Sequence, residues 1–281
     1  MTFNRGTLSN YIDWNSIWNK TINFSFPENE NERNYYNDKR RAEAYDNSKL
    51  IKEDGEKRAK ELNFDKNYSV LDIGAGPGVL AVPLARYVKK VTVVEPSQSM
   101  IDLLKKHIVE ERLTNIEIFQ SKWENFDTAK IEKHDIVIAS YSLLMQNIKE
   151  SLLKMEDCSN KEVILYWFSG VTSWEKLYMD LYQKIYGSNY TPSPKCNVIY
   201  NVLYDMGRSP NITVLKGTSF PKIYDSIDQA ISDLKLRLRI SDSKNDKYLA
   251  EYIETKFNKS NGKYIWDDDT VYVQIKWQHV E

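Results

Sequence analysis

Between residues 68 and 169, short apolar runs alternate with stretches of helical period. "YSVLDIG" (68–74), "KVTVVEP" (90–96), "NIEIFQS" (115–121), "HDIVIAS" (134–140) and "KEVILYWFS" (161–169) are nearly unbroken apolar runs. Runs of that length and composition predict strands buried on both faces. Between them, "PGVLAVPLARYV" (77–88), "SQSMIDLLKKHIVEERL" (97–113) and "NIKESLLKMED" (147–157) predict helices, with Ser97 as an N-cap. Buried strands separated by helices specify a parallel sheet with helices packed on both sides. Pro83 is compatible with the first of these helices only if it falls in the opening turn, which moves that helix's start later than residue 77. Upstream, "SKLIKEDGEKRAKELN" (48–63) has a helical pattern that Gly55 weakens.

Beyond residue 170 the rhythm changes. Helices are expected over 173–187, 197–207, 226–238 and 244–257, and a strand over 210–220. "GKYIWDDDTVYVQIKW" (262–277) reads as a hairpin turned on three aspartates. At the other end, 28–46 is charge-dense and reads as a surface loop entering a helix. Residues 1–26 carry Tyr11, Trp14, Trp18, Phe24 and Phe26 at irregular spacing. No repeat or low-complexity linker separates these parts. The expected organisation is one domain: a capping segment (1–47), a core (48–170), and helices with late strands (171–281) completing it.

Bulk properties narrow the function. The 281 residues carry a formal net charge of −1, so no global field draws in nucleic acid or an acidic membrane. Cys158 and Cys196 alone make neither a disulfide framework nor a zinc spacing, which points to a reducing cytoplasm. "MTFNRGTLSN" has no apolar signal core, and the longest apolar run, "VILYWF" (163–168), is too short to span a bilayer. Neither HExxH nor CxxC occurs, so no metal is expected. Aromatics are abundant, with 19 Tyr and 7 Trp, and the surplus lines either a core or a pocket.

The chemistry centres on "VLDIGAGPGVLA" (70–81). A strand-to-helix turn this rich in glycine lets a ligand rest on bare main chain, facing the first N–H groups of the helix. A dinucleotide fingerprint wants G-x-G-x-x-G. Gly74 and Gly76 fit it, but its third place is Val79, and Gly78 comes one position early. Asp72 would repel a pyrophosphate and attract an ammonium. With Asp72, Gly74, Gly76 and Gly78 in place, the stretch resembles the first motif of the class I S-adenosylmethionine-dependent methyltransferases, roughly D/E-x-G-x-G-x-G. The resemblance covers about residues 35–170 and points to the small-molecule branch.

The resemblance implies a seven-stranded, Rossmann-like α/β sheet, mostly parallel and closed by an antiparallel hairpin, with helices on both faces. It also implies S-adenosylmethionine as cofactor and S-adenosylhomocysteine as product. The cofactor would rest on Asp72, Gly74, Ala75, Gly76 and Gly78. Glu95, ending the second strand 23 residues after Asp72, would accept from the ribose diol, with Pro96 and Met100 beside the adenine. Where many relatives carry Gly-Asp-Ala, this chain has Ser121, Lys122 and Trp123, then Glu124. Lys122 cannot accept from the adenine amino group, so backbone, Trp123 by stacking, or Glu124 would have to hold the ring.

After the fourth strand, Ser140, Tyr141 and Ser142 replace the Asn/Asp-Pro-Pro-Tyr/Phe of base-amino methyltransferases, which disfavours methylation of a base nitrogen. Ser140 would face the cofactor, and Tyr141 is the weak catalytic candidate. Trp14, Trp18 and Tyr45 would form a lid. Trp167, with Trp174, Tyr178, Tyr200 and Tyr204, would wall an acceptor pocket. His107 is expected on the solvent side of its helix, His134 at the far end of the fourth strand and His279 near the C-terminus, so no general base is assigned. The expected partner is a small-molecule acceptor, without nucleic acid or membrane. The alternatives are a protein or tRNA methyltransferase, a non-catalytic S-adenosylmethionine-binding module, and a nicotinamide oxidoreductase.

Overall fold

The computed structural model describes residues 12–23 and 37–278. Tyr11, Phe24, Phe26 and His279 lie outside them. The chain begins with helices α1 (Trp14–Asn23), α2 (Lys39–Asp46) and α3 (Lys49–Leu62). Strands and helices then alternate: β1 (Ser69–Ile73), α4 (Ala81–Ala85), β2 (Lys90–Glu95), α5 (Gln98–Glu110), β3 (Ile116–Gln120), β4 (His134–Ser140), α6 (Ile148–Asp157) and β5 (Ser159–Ser169). There follow α7 (Ser173–Tyr186), α8 (Cys196–Asp205), β6 (Asn211–Val214), β7 (Lys222–Tyr224), α9 (Ile227–Leu238), α10 (Asp246–Lys256), β8 (Asn258–Ser260), β9 (Lys263–Trp266) and β10 (Val271–Gln278).

Seven strands form the main sheet in the order β3-β2-β1-β4-β5-β10-β6. The pairs β2·β3, β1·β2, β1·β4 and β4·β5 are parallel, and β10·β6 is antiparallel. The expected seven-stranded, mostly parallel sheet is therefore the one observed, its antiparallel pair being β6 and β10 rather than a hairpin. Val70, Leu71, Ile73, Val91, Val93, Val137 and Ile138 are all buried, which is why these strands read as unbroken apolar runs. Strand order reverses at β1, whose neighbours are β2 and β4. The carboxyl ends at such a switch point frame a crevice, and that is where open α/β sheets take their ligands.

Local signals behave as their chemistry predicts. The Ser97 side chain accepts from Met100 N and caps α5. Helix α4 begins at Ala81, so Pro83 falls in its first turn, where a missing N–H costs nothing. Gly55 lies inside α3 without breaking it. A Cβ there would stand 2.1 Å from the carbonyl oxygen of Val79, so this glycine lets α3 lie directly on the chain following the glycine turn.

Two expectations need correction. First, the described residues divide into two compact units rather than one. The first holds the chain up to Trp167 with 193–215 and 272–278; the second holds Phe168–Pro192 and Lys216–Val271. The stretch 171–281 thus does not serve the core as one block. Second, the three-aspartate segment is not a hairpin turn. β9 pairs with β7 and β8 in a separate three-stranded sheet, whereas β10 joins the main sheet, where β6 is its antiparallel partner. Asp268 explains the detour: its carboxylate accepts from Ser173 Oγ (2.9 Å), Phe220 N (2.7 Å) and Thr270 N (3.1 Å). Those bonds hold the segment open instead of folding it back.

Because the α3 approach leaves no room at Gly55, Gly55→Ala is expected to destabilise the protein by about 1–3 kcal/mol, the usual cost of overpacking. Urea unfolding at constant m-value measures this, and an unchanged midpoint would contradict the close approach.

Candidate functional site

The turn after β1 brings Gly74, Gly76 and Gly78 into the left-handed region, at φ +71°, +58° and +89°. Their surroundings differ. A Cβ on Gly74 would strike Ser142 Cβ at 2.4 Å, and one on Gly78 would strike Leu104 at 2.5 Å. Those two glycines serve packing inside the protein. At Gly76 the Cβ direction is open, its nearest neighbour being Met100 Sδ at 4.0 Å. Gly76 is therefore the position where a ligand, rather than the protein itself, has use of bare backbone.

Two acids end the neighbouring strands. Glu95 closes β2, and its carboxylate accepts from Gly76 N and from Ser97 N, both at 2.9 Å. It thereby fixes the glycine turn against the start of α5. Burial pushes its carboxyl above the usual range, and the two backbone bonds pull it back. Asp72 lies in β1 and is 1 % exposed, and neither of its oxygens has a hydrogen-bond partner among the described residues. Burial raises its pKa to about 7, with Glu95 adding to the rise and Arg58 opposing it. A buried carboxyl without donors is costly unless something supplies them. Beside an open glycine cradle, that something is a cationic or N–H-bearing ligand.

The C-terminal end of β4 forms the opposite wall. Tyr141 has φ +56°, and its N–H donates to Tyr166 O (3.0 Å). Ser142 Oγ donates to Ile73 O at 2.5 Å, which seats this elbow on the glycine turn. Arg58, which the sequence reading missed, reaches in from α3. Its Nε donates to Asp54 (2.7 Å) and its guanidinium to Ser140 Oγ (2.8 Å). The guanidinium lies 4.6 Å from the Tyr166 ring centre and 5.3 Å from that of Tyr141. No motif marks Arg58 or Asp54; the available signal was their i,i+4 spacing beside an unexplained helical glycine.

The structure gathers Asp72, Gly74, Ala75, Gly76, Gly78, Glu95, Met100, Ser140 and Tyr141 around the switch point. Pro96 is exposed at the same end. Tyr45 of α2 also belongs here, its hydroxyl within electrostatic reach of Arg58, Asp54, Asp72 and Glu95; burial pushes that hydroxyl above its ordinary range.

Other candidates fall elsewhere. Trp123 is buried, donates its indole N–H to Ser151 O, stacks with Phe126 and carries the Lys154 ammonium 4.7 Å from its ring centre. It is a core residue and offers no face to a purine. Lys122 and Glu124 flank it as exposed residues. Trp18 and Trp167 pack on each other at 5.9 Å, and their indole N–H groups donate to Met145 O and Pro194 O. That satisfied, fully buried pair is core and not lid or pocket wall. Trp14 is half-buried on the same α1, which packs against α6 and α8. Tyr200 and Tyr204 stack on the exposed face of α8, while Trp174 and Tyr178 belong to the second unit. His134 bonds with Thr92 Oγ1 (2.8 Å) at the far end of β4, as expected. His107 is not on a solvent face. Its ring spans Pro77 O (2.9 Å) and the Asp46 carboxylate (3.3 Å). Among the described residues no cluster of three or more His, Cys, Asp or Glu is arranged to hold a metal, and no helix is long and apolar enough to cross a membrane.

The sheet order and the glycine turn at its switch point are those of the class I S-adenosylmethionine-dependent methyltransferase fold. Within that class, residues 70–158 match the family model described as "Methyltransferase domain". An uncharacterized protein of Haemophilus influenzae is 27% identical over 181 residues, 62% of this chain and 65% of that one. The "Probable ribosomal RNA small subunit methyltransferase A" of Methanosphaera stadtmanae is 42% identical over 71 residues, 25% of this chain and 26% of that one. The chain thus spans less than two thirds of either relative. Among solved structures, an inferred methyltransferase of Bacillus halodurans aligns with TM-score 0.57 at 14% identity, covering 80% of this chain and 99% of that one. A Bacillus subtilis protein aligns with TM-score 0.53, also at 14% identity, covering 80% and 97%. At that identity the likeness shows the fold.

Gly76→Val is expected to abolish binding of S-adenosylhomocysteine, because a branched side chain fills the one open cradle position. Titration calorimetry checks this, and retained affinity would move the site elsewhere. Glu95→Ala strands two backbone N–H groups and should weaken the same ligand by about 1–3 kcal/mol.

Proposed function

We propose that the chain transfers a methyl group from S-adenosylmethionine to a small-molecule acceptor by in-line displacement. The observation that carries this reading is the partnerless buried carboxyl of Asp72 beside the open cradle of Gly76. A cradle for a pyrophosphate would set N–H groups and cations there. This one sets a carboxyl, which suits the ammonium of a methionine moiety. Glu95 is already engaged by two N–H groups, yet each carboxylate oxygen keeps a lone pair for a ribose hydroxyl. Met100 borders the same space.

When bound, S-adenosylmethionine supplies an electrophilic methyl carbon whose leaving group is a neutral thioether, so departure needs no acid. The chain's own task is then alignment and exclusion of water. Tyr141 stands at the elbow, with the Arg58 guanidinium packed against its ring and against the buried ring of Tyr166. Burial, with Asp54 adding to it and Arg58 opposing it, pushes the Tyr141 hydroxyl well above its ordinary range, so it stays protonated at neutral pH. It therefore orients an acceptor as a hydrogen-bond donor and does not serve as a general base. An acceptor that is itself a thiolate, amine or enolate fits a site without a base.

A second reading, RNA methylation, draws support from the ribosomal RNA methyltransferase relative. Against it stand the net charge of −1 and the Ser140-Tyr141-Ser142 elbow in place of the base-amino motif. Two free, buried cysteines, Cys158 and Cys196, agree with a reducing cytoplasmic setting. Incubation with methyl-labelled S-adenosylmethionine and a fractionated cell extract separates the readings. Label in the low-molecular-weight fraction supports the proposal, label in RNA or protein overturns it, and binding without transfer marks a non-catalytic module.

The Asp72 pKa of about 7 sets a pH dependence. The neutral acid cannot pair with an ammonium, so affinity for S-adenosylhomocysteine should rise with pH through about 7 and then level. Well below that point the loss approaches about tenfold per pH unit. Asp72→Asn should flatten the profile in calorimetric titrations; a profile as steep as the wild type's would assign the titration to another group.

A further inference from the structure

We propose that Arg58 is a positioning residue of the methyl-donor site, holding the elbow after β4 in its left-handed turn and standing as counter-cation to the Asp72 carboxylate. This inference rests on the function proposed above and adds a residue that neither motif nor family match assigns; Arg58 precedes the matched segment 70–158.

The geometry forms one mechanical line. Gly55 lets α3 press onto Val79, and one turn later Arg58 enters the interior with 5% of its surface exposed. Behind it, Asp54 accepts from Nε at 2.7 Å; ahead, Ser140 Oγ accepts at 2.8 Å. The rings of Tyr166 and Tyr141 flank the guanidinium. Tyr141 pays the backbone strain of φ +56°, a region a β-carbon-bearing residue enters only when its surroundings insist. Those surroundings are Arg58 on the side chain, Tyr166 O on its N–H, and Ser142 packed where a Gly74 Cβ would be. Moving Arg58 would therefore loosen the elbow, and through Ser142 the glycine turn itself.

The charges agree with the geometry. The groups facing Asp72 are Glu95 at the end of β2, Tyr45 on α2 and Arg58 on α3. Only Arg58 among them is a cation. Asp54 shares that cation, accepting from Nε, and the planar guanidinium disperses its charge over all three nitrogens. Removal of Arg58 takes away the cation that opposes the effects of burial and of Glu95 on Asp72. Asp72 would then keep its proton to higher pH.

The test is calorimetric binding of S-adenosylhomocysteine across neutrality by the full chain and by Arg58→Met, Arg58→Lys and Ser140→Ala. Arg58→Met should move the pH midpoint of affinity upward and weaken binding at neutral pH about tenfold or more, one pK unit being one decade. Arg58→Lys keeps the charge and loses the fork, so its midpoint should stay with the wild type while affinity falls about fivefold. A purely structural role would lower affinity without moving the midpoint in Arg58→Met, and that result overturns the proposal. If the Arg58 variants do not fold, Ser140→Ala decides by the same readout: weaker binding with the pH midpoint moved supports the role, and a midpoint that stays with the wild type overturns it. Wild-type protein that binds no S-adenosylhomocysteine at any pH would refute the proposed function instead.

Discussion

Two acids buried at the ends of adjacent parallel strands govern this molecule. Glu95 meets its burial within the chain, through N–H groups from the glycine turn and from the start of α5. Asp72 does not: neither of its oxygens has a hydrogen-bond partner among the described residues, and Arg58 acts on it through charge alone. The first acid builds the turn, and the second leaves a demand that the folded chain does not meet. The glycines, the elbow after β4 and the approach of α3 all follow from shaping the space in which that demand is met from outside. Stability and recognition are thus set against each other at one carboxyl, as is common where a protein keeps a binding site ready.

The centre of the main sheet was legible in the sequence because β1, β2 and β4 are buried on both faces and α5 and α6 are capped by Ser97 and Asn147. β4 occupies the residues expected of it, and Ser97 caps α5 as its position suggests. The glycine turn was legible for the same reason: Asp72, Gly74, Gly76 and Gly78 sit on consecutive residues whose spacing carries their geometry. What stayed hidden depends on distant pairing. Nothing local in "WDDDT" says that the strands on either side of it enter different sheets, because that outcome hangs on Asp268 reaching Ser173 and Phe220.

The aromatic residues show the same limit. Trp18, Trp123 and Trp167 could each line a pocket or fill a core as far as the sequence goes, since composition carries no direction. Each indole N–H turned out to be spent on a backbone carbonyl, of Met145, Ser151 and Pro194 respectively, and each ring is buried. Arg58 was missed for the opposite reason. A charged residue four places after an acid on a polar-looking helix reads as solvated, and only the tertiary approach allowed by Gly55 turns it inward.

The route of the chain through its two units has a consequence for biosynthesis. β6 precedes the excursion Lys216–Val271 along the chain, yet the strand that ties β6 to the rest of the main sheet is β10, which follows it. Until that late segment has emerged and found its slot, β6 has no place in the sheet and the flank of β5 is bare. Closure of this flank therefore waits on a strand about a hundred residues after β5, and until then it leaves an unpaired edge for other nascent chains to meet. Premature termination anywhere in the excursion would forfeit two strands rather than one.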